Sequence, residues 1–148
     1  MIVMGKNRRG EPAPAIVAVD DEPLNRDLLR RVLGNEFDIR DLGDARGVPG
    51  ALAERPACVV LADQLMPGQS GVELLRALRS SHPAIVGVLL TGAEEDPEVV
   101  DAARDGIAFA VVGKPWRSAR LLEEVRRAVA EAERRGRGGS DSDADADD

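Results

Sequence analysis

The sequence is poor in aromatic residues and in cysteine. It has no tyrosine, two phenylalanines and one tryptophan among 148 residues, so it offers no surface on which nucleic-acid bases could stack. Its single cysteine, Cys58, excludes an internal disulfide bond and opens an apolar run, which predicts a buried thiol in a reducing compartment. No apolar run approaches the roughly 18 residues of a membrane-spanning helix. These absences predict a cytoplasmic protein without a nucleic-acid or membrane partner.

Lysine is also scarce, since Lys6 and Lys114 are the only two lysines among 20 basic residues. The formal net charge of −7 argues further against nucleic acid as a partner. The two ends of the chain differ in composition from its middle. The proline-spaced residues 1–14 predict a flexible leader, and the Gly-, Ser- and Asp-rich residues 135–148 predict a disordered acidic tail. Residues 15–134 then form one domain, long enough to bury a hydrophobic core.

Between these ends, short apolar runs alternate with helical patterns. Apolar runs rich in β-branched residues predict four buried strands, at 15–19, 59–62, 85–90 and 107–112. The more polar run at 37–42 predicts a weaker fifth strand near an edge of the sheet. Amphipathic patterns predict helices beginning near residues 23, 70, 96 and 118. The segment from residue 44 should be helical by its position, but Gly47, Pro49 and Gly50 predict a short or broken helix there. The third helix should end near His82, the only histidine. The alternation predicts an α/β protein with a (βα)₅ doubly wound parallel five-stranded sheet, a flavodoxin-like fold.

Polar side chains stand at the carboxyl ends of four of these strands. Asp20 and Asp21 follow the first strand, and Asp63, Thr91 and Lys114 follow the third, fourth and fifth. Because the carboxyl ends of parallel strands meet at one edge of the sheet, we expect the five side chains to lie together. Each alone could cap a helix, form a turn or carry a surface charge. Their joint placement indicates a functional site.

The chemistry of this set favours phosphoryl transfer. Three clustered carboxylates repel one another unless a cation or a proton is held among them, and such oxygen ligands suit Mg²⁺. An ammonium group on a flexible stem reaches a phosphoryl oxygen as a point charge, whereas arginine brings a planar fork. With a threonine hydroxyl and a carboxylate nucleophile, the set has the parts of a phosphoryl-transfer site.

Four short motifs carry a resemblance to a known family. The segments VDDE at 19–22, DQLMPGQSG at 63–71, LLTG at 89–92 and GKPW at 113–116 resemble those of the receiver domains of two-component response regulators, the CheY-like superfamily. The resemblance covers residues 15–134 and implies the receiver fold. Each motif is weak alone, and the combination is specific.

The resemblance implies a role for each residue of the acidic group. Asp63 matches the phospho-acceptor of the family. Asp20 and Asp21 match the acidic pair that holds Mg²⁺ together with the acceptor. Leu65 matches the position that lends its backbone carbonyl to the metal.

Thr91 and Lys114 match the family's residues that bind the phosphoryl group and switch the domain. A switch aromatic usually stands three residues before the lysine, and here that position is Val111. Phe109 has the same strand parity as Val111, so we expect both side chains to point to the same face. Core packing of Phe109 is favoured over a relocated switch. In the family the bond after the lysine is cis, and the sequence leaves the isomer of the Lys114–Pro115 bond open.

The implied function is that of a stand-alone response regulator, not of an enzyme that acts on other molecules. The domain would take a phosphoryl group, with Mg²⁺, from the phosphohistidine of a sensor histidine kinase or a phosphotransfer protein. Its output would be a protein surface, formed by the fourth helix, the fifth strand and the fifth helix, that binds an effector protein. A homodimer formed on phosphorylation is a further partner that the resemblance allows.

The sequence also allows or excludes several other functions. A phosphate shuttle or sink in a phosphorelay stays open. A non-phosphorylated docking module with the same fold is the other alternative, although such modules typically lose one of the five site residues. A haloacid-dehalogenase-type phosphatase would need aspartate where Leu65 stands. A P-loop would need four residues between its glycines and Ser or Thr after the lysine, whereas GIAFAVVGKP has six and a proline.

Overall fold

The structure is a computed structural model that describes the backbone of residues 2–146 and the side chains of residues 2–136. Its strands are β1 (Met4–Lys6), β2 (Pro12–Val19), β3 (Asp38–Leu42), β4 (Val59–Asp63), β5 (Val86–Thr91) and β6 (Ala110–Gly113). Its helices are α1 (Pro23–Leu33), α2 (Val48–Glu54), α3 (Gly71–Ser81), α4 (Pro97–Arg104) and α5 (Ser118–Ala146). A short 3₁₀ turn, Ala45–Gly47, precedes α2.

The five strands β2 to β6 form a parallel sheet in the order β3-β2-β4-β5-β6. The chain runs from β2 outward to β3 and then crosses back to β4, so the direction of the crossovers reverses at β2. A crevice opens above the carboxyl ends of the strands at such a reversal, and ligands bind there in doubly wound sheets. The predicted (βα)₅ fold is confirmed, and the structure adds the strand β1 to it.

Helices pack on both faces of the sheet, because successive strand residues point to opposite sides. Leu33 of α1 and Leu121 of α5 belong to the apolar cluster on one face. Leu75 of α3 and Val99 of α4 belong to the cluster on the other face, together with residues of α2. These side chains are almost fully buried. The two clusters hold the helices so that the carboxyl edge of the sheet stays open between them.

Helix α3 begins and ends where the sequence predicts. Ser70 is its N-cap: the Ser70 hydroxyl accepts a hydrogen bond from the Glu73 N–H at 3.1 Å, and the Glu73 carboxylate accepts one from the Ser70 N–H at 3.0 Å. This reciprocal pair satisfies two of the free N–H groups at the helix start. His82 is the C-cap residue. The capping box thereby fixes α3 directly behind the loop that follows β4.

The predicted flexible leader at 1–14 is corrected by the structure. β1 pairs antiparallel with the first residues of β2, with Gly5 opposite Ala13. Arg8, in the turn after β1, donates from Nη2 to the Arg30 carbonyl at 2.7 Å and from its N–H to the Gly34 carbonyl at 2.8 Å. Prolines are compatible with such a short edge pairing, since few ladder hydrogen bonds are needed there. The segment is therefore a hairpin that caps the end of α1.

Helix α5 extends further than the predicted domain boundary near residue 134. Its backbone is helical to Ala146, which differs from the disorder that the composition of 135–148 predicts. A helix already nucleated by a packed face can extend at little cost. Side chains beyond residue 136 lie outside the described part, and the position of the tail boundary stays a prediction. Between residues 2 and 146, no helix combines the length and the apolar character needed to cross a membrane.

Cys58 is a buried structural thiol, as the sequence predicts. It is 5% exposed, and its Sγ donates to the Ala15 carbonyl at 3.3 Å. Burial raises the pKa of the Cys58 thiol to about 11. Since the thiolate is the reactive form of cysteine, this side chain is a packing group of the core.

Candidate functional site

The structure brings the five predicted site residues together at the carboxyl edge of the sheet. Asp20 directly follows β2, Asp63 and Thr91 are the last residues of β4 and β5, and Lys114 directly follows β6. Asp20, Asp63 and Thr91 are buried, Lys114 is half-buried, and Asp21 is exposed. The sheet therefore places four side chains in a depression and one at its rim.

Three carboxylates form the acidic part of the site. One oxygen from each of Asp20, Asp21 and Asp63 lies within 4.8 Å of the other two. The Asp20 carboxylate is oriented by the Glu22 N–H, which donates to its Oδ1 at 2.9 Å. The Asp20 carbonyl accepts from Nη1 of Arg26 at 2.7 Å. This spacing and the all-oxygen donor set suit a divalent cation such as Mg²⁺.

Lys114 supplies the positive charge of the site. Its Nζ lies 2.7 Å from Oδ1 of Asp63 and 3.4 Å from Oδ2 of Asp20. A single ammonium group therefore bridges two buried carboxylates. A guanidinium group is planar and larger, and it would not fit between the two oxygens in the same way. This geometry explains why a chain that otherwise uses arginine carries lysine here.

The pKa shifts of the pair show that the ammonium does not fully compensate the carboxylates. Burial raises the pKa of Asp63, and repulsion from Asp20 and Asp21 adds to that rise against the opposing effect of Lys114. Burial lowers the pKa of Lys114, but the ion pairs with Asp63 and Asp20 outweigh it and raise the pKa overall. An isolated ion pair would instead lower the pKa of the acid. Burial of Asp63 therefore outweighs the stabilisation of its charged form by Lys114.

Thr91, the last residue of β5, stands at the same edge of the sheet as the acidic group. Its hydroxyl oxygen accepts the Ala93 N–H at 3.0 Å, and its carbonyl accepts the Lys114 N–H at 2.8 Å. The hydroxyl hydrogen is free to donate to another acceptor, because a hydroxyl group both donates and accepts. The backbone bond also ties the lysine segment to the end of β5.

Gln64 was missed by sequence reasoning. It is 6% exposed; its Oε1 accepts the Val72 N–H at 2.9 Å, and its Nε2 lies 3.4 Å from Oε2 of Glu98 in α4. Gly71 belongs to the same turn, because a Cβ there would stand 2.6 Å from the Asp63 carbonyl oxygen. These two residues hold the loop after Asp63 in place. The pattern of a glycine eight positions after the aspartate was the available signal.

The predicted common orientation of Phe109 and Val111 was wrong. Phe109 packs against the cluster that contains α5, and its ring lies 5.4 Å from the guanidinium carbon of Arg127. Val111 packs against the opposite cluster, with α3 and α4. β6 begins at Ala110, so Phe109 lies outside the extended strand, where the alternation of faces no longer applies. The packing favours a core role for Phe109.

The segment after Lys114 forms a cavity beside the site. The Lys114–Pro115 peptide bond is cis. A cavity of about 360 Å³ is lined by Asn25, Leu28, Lys114, Pro115 and Trp116. Lys114 therefore belongs both to this cavity and to the acidic site.

Several known proteins are similar to this chain. The hydrogenase transcriptional regulatory protein HoxA of Cupriavidus necator is 33% identical over 114 residues, which are 77% of this chain and 24% of that protein. The C4-dicarboxylate transport transcriptional regulatory protein DctD of Pseudomonas aeruginosa is 36% identical over 115 residues, 77% of this chain and 25% of that protein. The solved receiver domain of NtrX from Brucella abortus has a TM-score of 0.71 and 30% identity, covering 78% of this chain and 98% of that one.

The chain spans about a quarter of the length of these two curated relatives. Both are described as transcriptional regulators, so the expected absence of a nucleic-acid partner stays a prediction, as does the stand-alone arrangement. The model of the response regulator receiver domain matches residues 16–126, which include the acidic group, Thr91 and Lys114. With that match over most of its length, the chain belongs to the response regulator receiver domain family.

Proposed function

We propose that this domain is switched by phosphorylation of Asp63, with the phosphohistidine of a sensor histidine kinase or a phosphotransfer protein as donor. The observation that carries the proposal is the contact of 2.7 Å between Lys114 Nζ and Asp63 Oδ1 at the centre of a buried acidic group. A carboxylate in such a setting is positioned as a nucleophile beside a charge that stabilises the incoming phosphoryl group. Phosphorylation-controlled signalling is the general function of the family.

The chain's own residues divide the work of the transfer. An Asp63 oxygen forms the bond to phosphorus as the bond from phosphorus to the donor nitrogen breaks. Before the reaction the Lys114 ammonium contacts the Asp63 carboxylate. During the transfer it pairs with one phosphoryl oxygen, and the Thr91 hydroxyl donates a hydrogen bond to another. Because these groups are already in place before the reaction, little reorganisation is needed when charge moves.

The acidic group fits a resident Mg²⁺. Asp20, Asp21 and Asp63 would hold it with their carboxylates, and Leu65 would add its backbone carbonyl. When bound, the ion supplies positive charge that neutralises phosphoryl oxygens and orients them. Burial is the main cause of the raised pKa of Asp63, and repulsion from Asp20 and Asp21 adds a smaller part, which a bound cation would relieve.

The test of the function is chemical phosphorylation of the full chain. Incubation with phosphoramidate and Mg²⁺ should add one phosphate per chain, measured by intact mass, and chelation of Mg²⁺ should prevent the addition. Phosphate added equally well in the presence of a chelator would contradict the metal-dependent switch.

Asp21 should dominate Mg²⁺ affinity among the exposed acids, because its carboxylate faces the other two from the rim. Asp21→Asn is expected to raise the Mg²⁺ concentration needed for half-maximal phosphorylation by about tenfold or more. Glu22→Gln is the matched control, since Glu22 is a neighbouring exposed carboxylate outside the acidic group. Equal Mg²⁺ dependence of the two variants would remove Asp21 from the metal site.

The output surface is proposed to be formed by α4, β6 and α5. Glu98 in the first turn of α4 contacts Gln64, the residue after the acceptor, so a change at the acceptor has a direct route to α4. Val100 of α4 is 47% exposed and offers an apolar contact for an effector protein. A phosphate shuttle would not need a contact between the acceptor loop and α4, so this contact favours a switch that binds an effector over a shuttle.

The phosphorylated state is expected to be long-lived. Hydrolysis needs a water held in line with the phosphorus, and Leu65 and Ala93, which line the cavity next to Thr91, cannot bind water with their side chains. Leu65→Asn combined with Ala93→Glu should speed the loss of phosphate about tenfold, measured as decay of labelled protein after donor removal.

Glu94 provides the control for this lifetime. Its carboxylate lies against Gly113, where a Cβ would stand, and Gly113 directly precedes Lys114. Glu94 is therefore an acid close enough to the site to orient a water in place of polar side chains at positions 65 and 93. Glu94→Gln should leave the decay rate unchanged. A slower decay in that variant would show that Glu94 orients the water and that the two apolar positions do not set the lifetime.

A further inference from the structure

Arg26 of α1 lies outside the acidic group but binds its backbone. Its Nη1 donates to the Asp20 carbonyl at 2.7 Å, and its Nε lies 3.2 Å from Oδ2 of Asp41 in β3. The Arg26 and Asp41 side chains are only 21% and 19% exposed. An ion pair that is largely shielded from water holds its geometry better than a fully solvated one. Asp41 thereby fixes the guanidinium group that binds Asp20.

The carbonyl that Arg26 binds belongs to the peptide unit that joins Asp20 to Asp21. A peptide unit is planar, so the direction of this carbonyl also sets the direction in which the backbone enters Asp21. On its other side, Asp20 is held by its N–H, which donates to the Leu42 carbonyl at 3.0 Å. Arg26 therefore restrains the backbone link between two of the three clustered carboxylates.

The Asp21 carboxylate depends on this backbone restraint more than the other two. Asp21 is exposed, and within the described residues no hydrogen bond or ion pair orients its side chain. The Asp20 carboxylate, by contrast, accepts the Glu22 N–H at 2.9 Å, and the Asp63 carboxylate contacts Lys114. A rotation of the peptide unit before Asp21 would therefore move the Asp21 carboxylate away from the other two.

The surroundings of Arg26 favour a positioning role over a role of its charge. Gly43 directly follows β3 and leaves room for the guanidinium group, since a Cβ there would stand 3.0 Å from Nη1 of Arg26. A positive charge beside the acidic group would by itself repel a cation. The ion pair with Asp41 offsets that charge, while the hydrogen bond to the Asp20 carbonyl is kept.

We propose that Arg26 is a positioning residue for the metal site: it fixes the peptide unit between Asp20 and Asp21 so that both carboxylates face one divalent cation. The inference rests on the Mg²⁺ site of the proposed function and adds to it a residue that is not a ligand. One oxygen from each of Asp20, Asp21 and Asp63 lies within 4.8 Å of the other two, and Arg26 maintains this spacing.

The test is the dissociation constant of Mg²⁺, measured by calorimetric titration of the full chain without a phosphoryl donor. Arg26→Met keeps an unbranched side chain but removes the hydrogen-bond donor, and it should raise the constant about tenfold, as loss of a group that orients metal ligands does. Arg26→Lys should raise it less, because one ammonium can bind the Asp20 carbonyl but cannot also reach Asp41. Arg31→Met is the matched control, since it removes an exposed arginine of the same helix and its pair with Asp27. It should bind Mg²⁺ like the wild type.

The sign of the change separates positioning from a plain effect of charge. Loss of a positive charge near three carboxylates would by itself tighten Mg²⁺ binding, so tighter binding by Arg26→Met would overturn the proposal. An unchanged constant, with a lower unfolding temperature in the absence of metal, would also overturn it, because Arg26 would then serve the fold alone. If Arg26→Met does not fold, Arg26→Lys carries the test, and a constant equal to that of the wild type overturns the proposal.

Phosphorylation rates distinguish this proposal from the function on which it rests. With phosphoramidate, Arg26→Met should need about ten times more Mg²⁺ for half-maximal rate and should approach the wild-type rate at saturating Mg²⁺. A rate that stays low at saturating Mg²⁺ would overturn the positioning role. A wild type that binds no Mg²⁺ would overturn the metal site itself. Mg²⁺ binding that is weakened in Arg26→Met, in a chain that takes no phosphate, would overturn the phosphorylated switch and support the role of Arg26.

Discussion

Asp63→Asn is expected to abolish phosphorylation completely, under conditions in which the wild type gains one phosphate. The amide oxygen is a poor nucleophile and carries no charge to form the acyl phosphate. The variant keeps the size of the side chain and can still contact Lys114, so the fold should be retained. Intact mass after incubation with phosphoramidate and Mg²⁺ is the measurement, and thermal unfolding checks the fold.

Asp101→Asn serves as the matched control for that experiment. Asp101 is an exposed aspartate on α4 that pairs with Arg104, outside the acidic group, and its amide variant should be phosphorylated like the wild type. Phosphate found on Ser70 or His82 would contradict the assignment. Both lie at the ends of α3 as capping residues, and neither contacts Lys114.

Lys114→Ala should slow phosphorylation about a hundredfold, since removal of one preorganised charge from a transfer site typically costs that much. This loss corresponds to about 2.7 kcal/mol. Lys114→Arg should recover little of it, because the guanidinium fork cannot take the place between Asp63 and Asp20. The measurement is the initial rate with phosphoramidate at saturating Mg²⁺.

The other lysine offers the control. Lys6 is exposed on β1, so Lys6→Ala removes the same charge from the chain without touching the site, and its rate should equal that of the wild type. Were Lys114→Arg as active as the wild type, general attraction of the donor would explain the role of Lys114 better than a bridge between two carboxylates.

The fold and the five central residues could be predicted because they follow from local signals. Apolar β-branched runs define the strands, and in a doubly wound sheet the residues after such runs must meet. The hairpin of β1 could not be foreseen, since its stability comes from Arg8 bonding carbonyls at the end of α1, a contact distant in sequence. The face of Phe109 was misjudged because strand alternation was extended past the true start of β6. The sequence signal at Gln64 was limited to the spacing of Asp63 and Gly71, because the partners of the Gln64 amide belong to α3 and α4.

The β1 hairpin determines where a stable fragment of the domain should begin. The match to the family begins at residue 16, which would discard β1 and the first half of β2. Such a fragment would lose the pairing of Gly5 with Ala13 and the Arg8 bonds to the carbonyls of Arg30 in α1 and of Gly34 after it. It would also lose the Ala15 carbonyl, which accepts the Cys58 N–H at 2.9 Å. A fragment that begins at the family boundary is therefore expected to unfold at a lower temperature than the full chain.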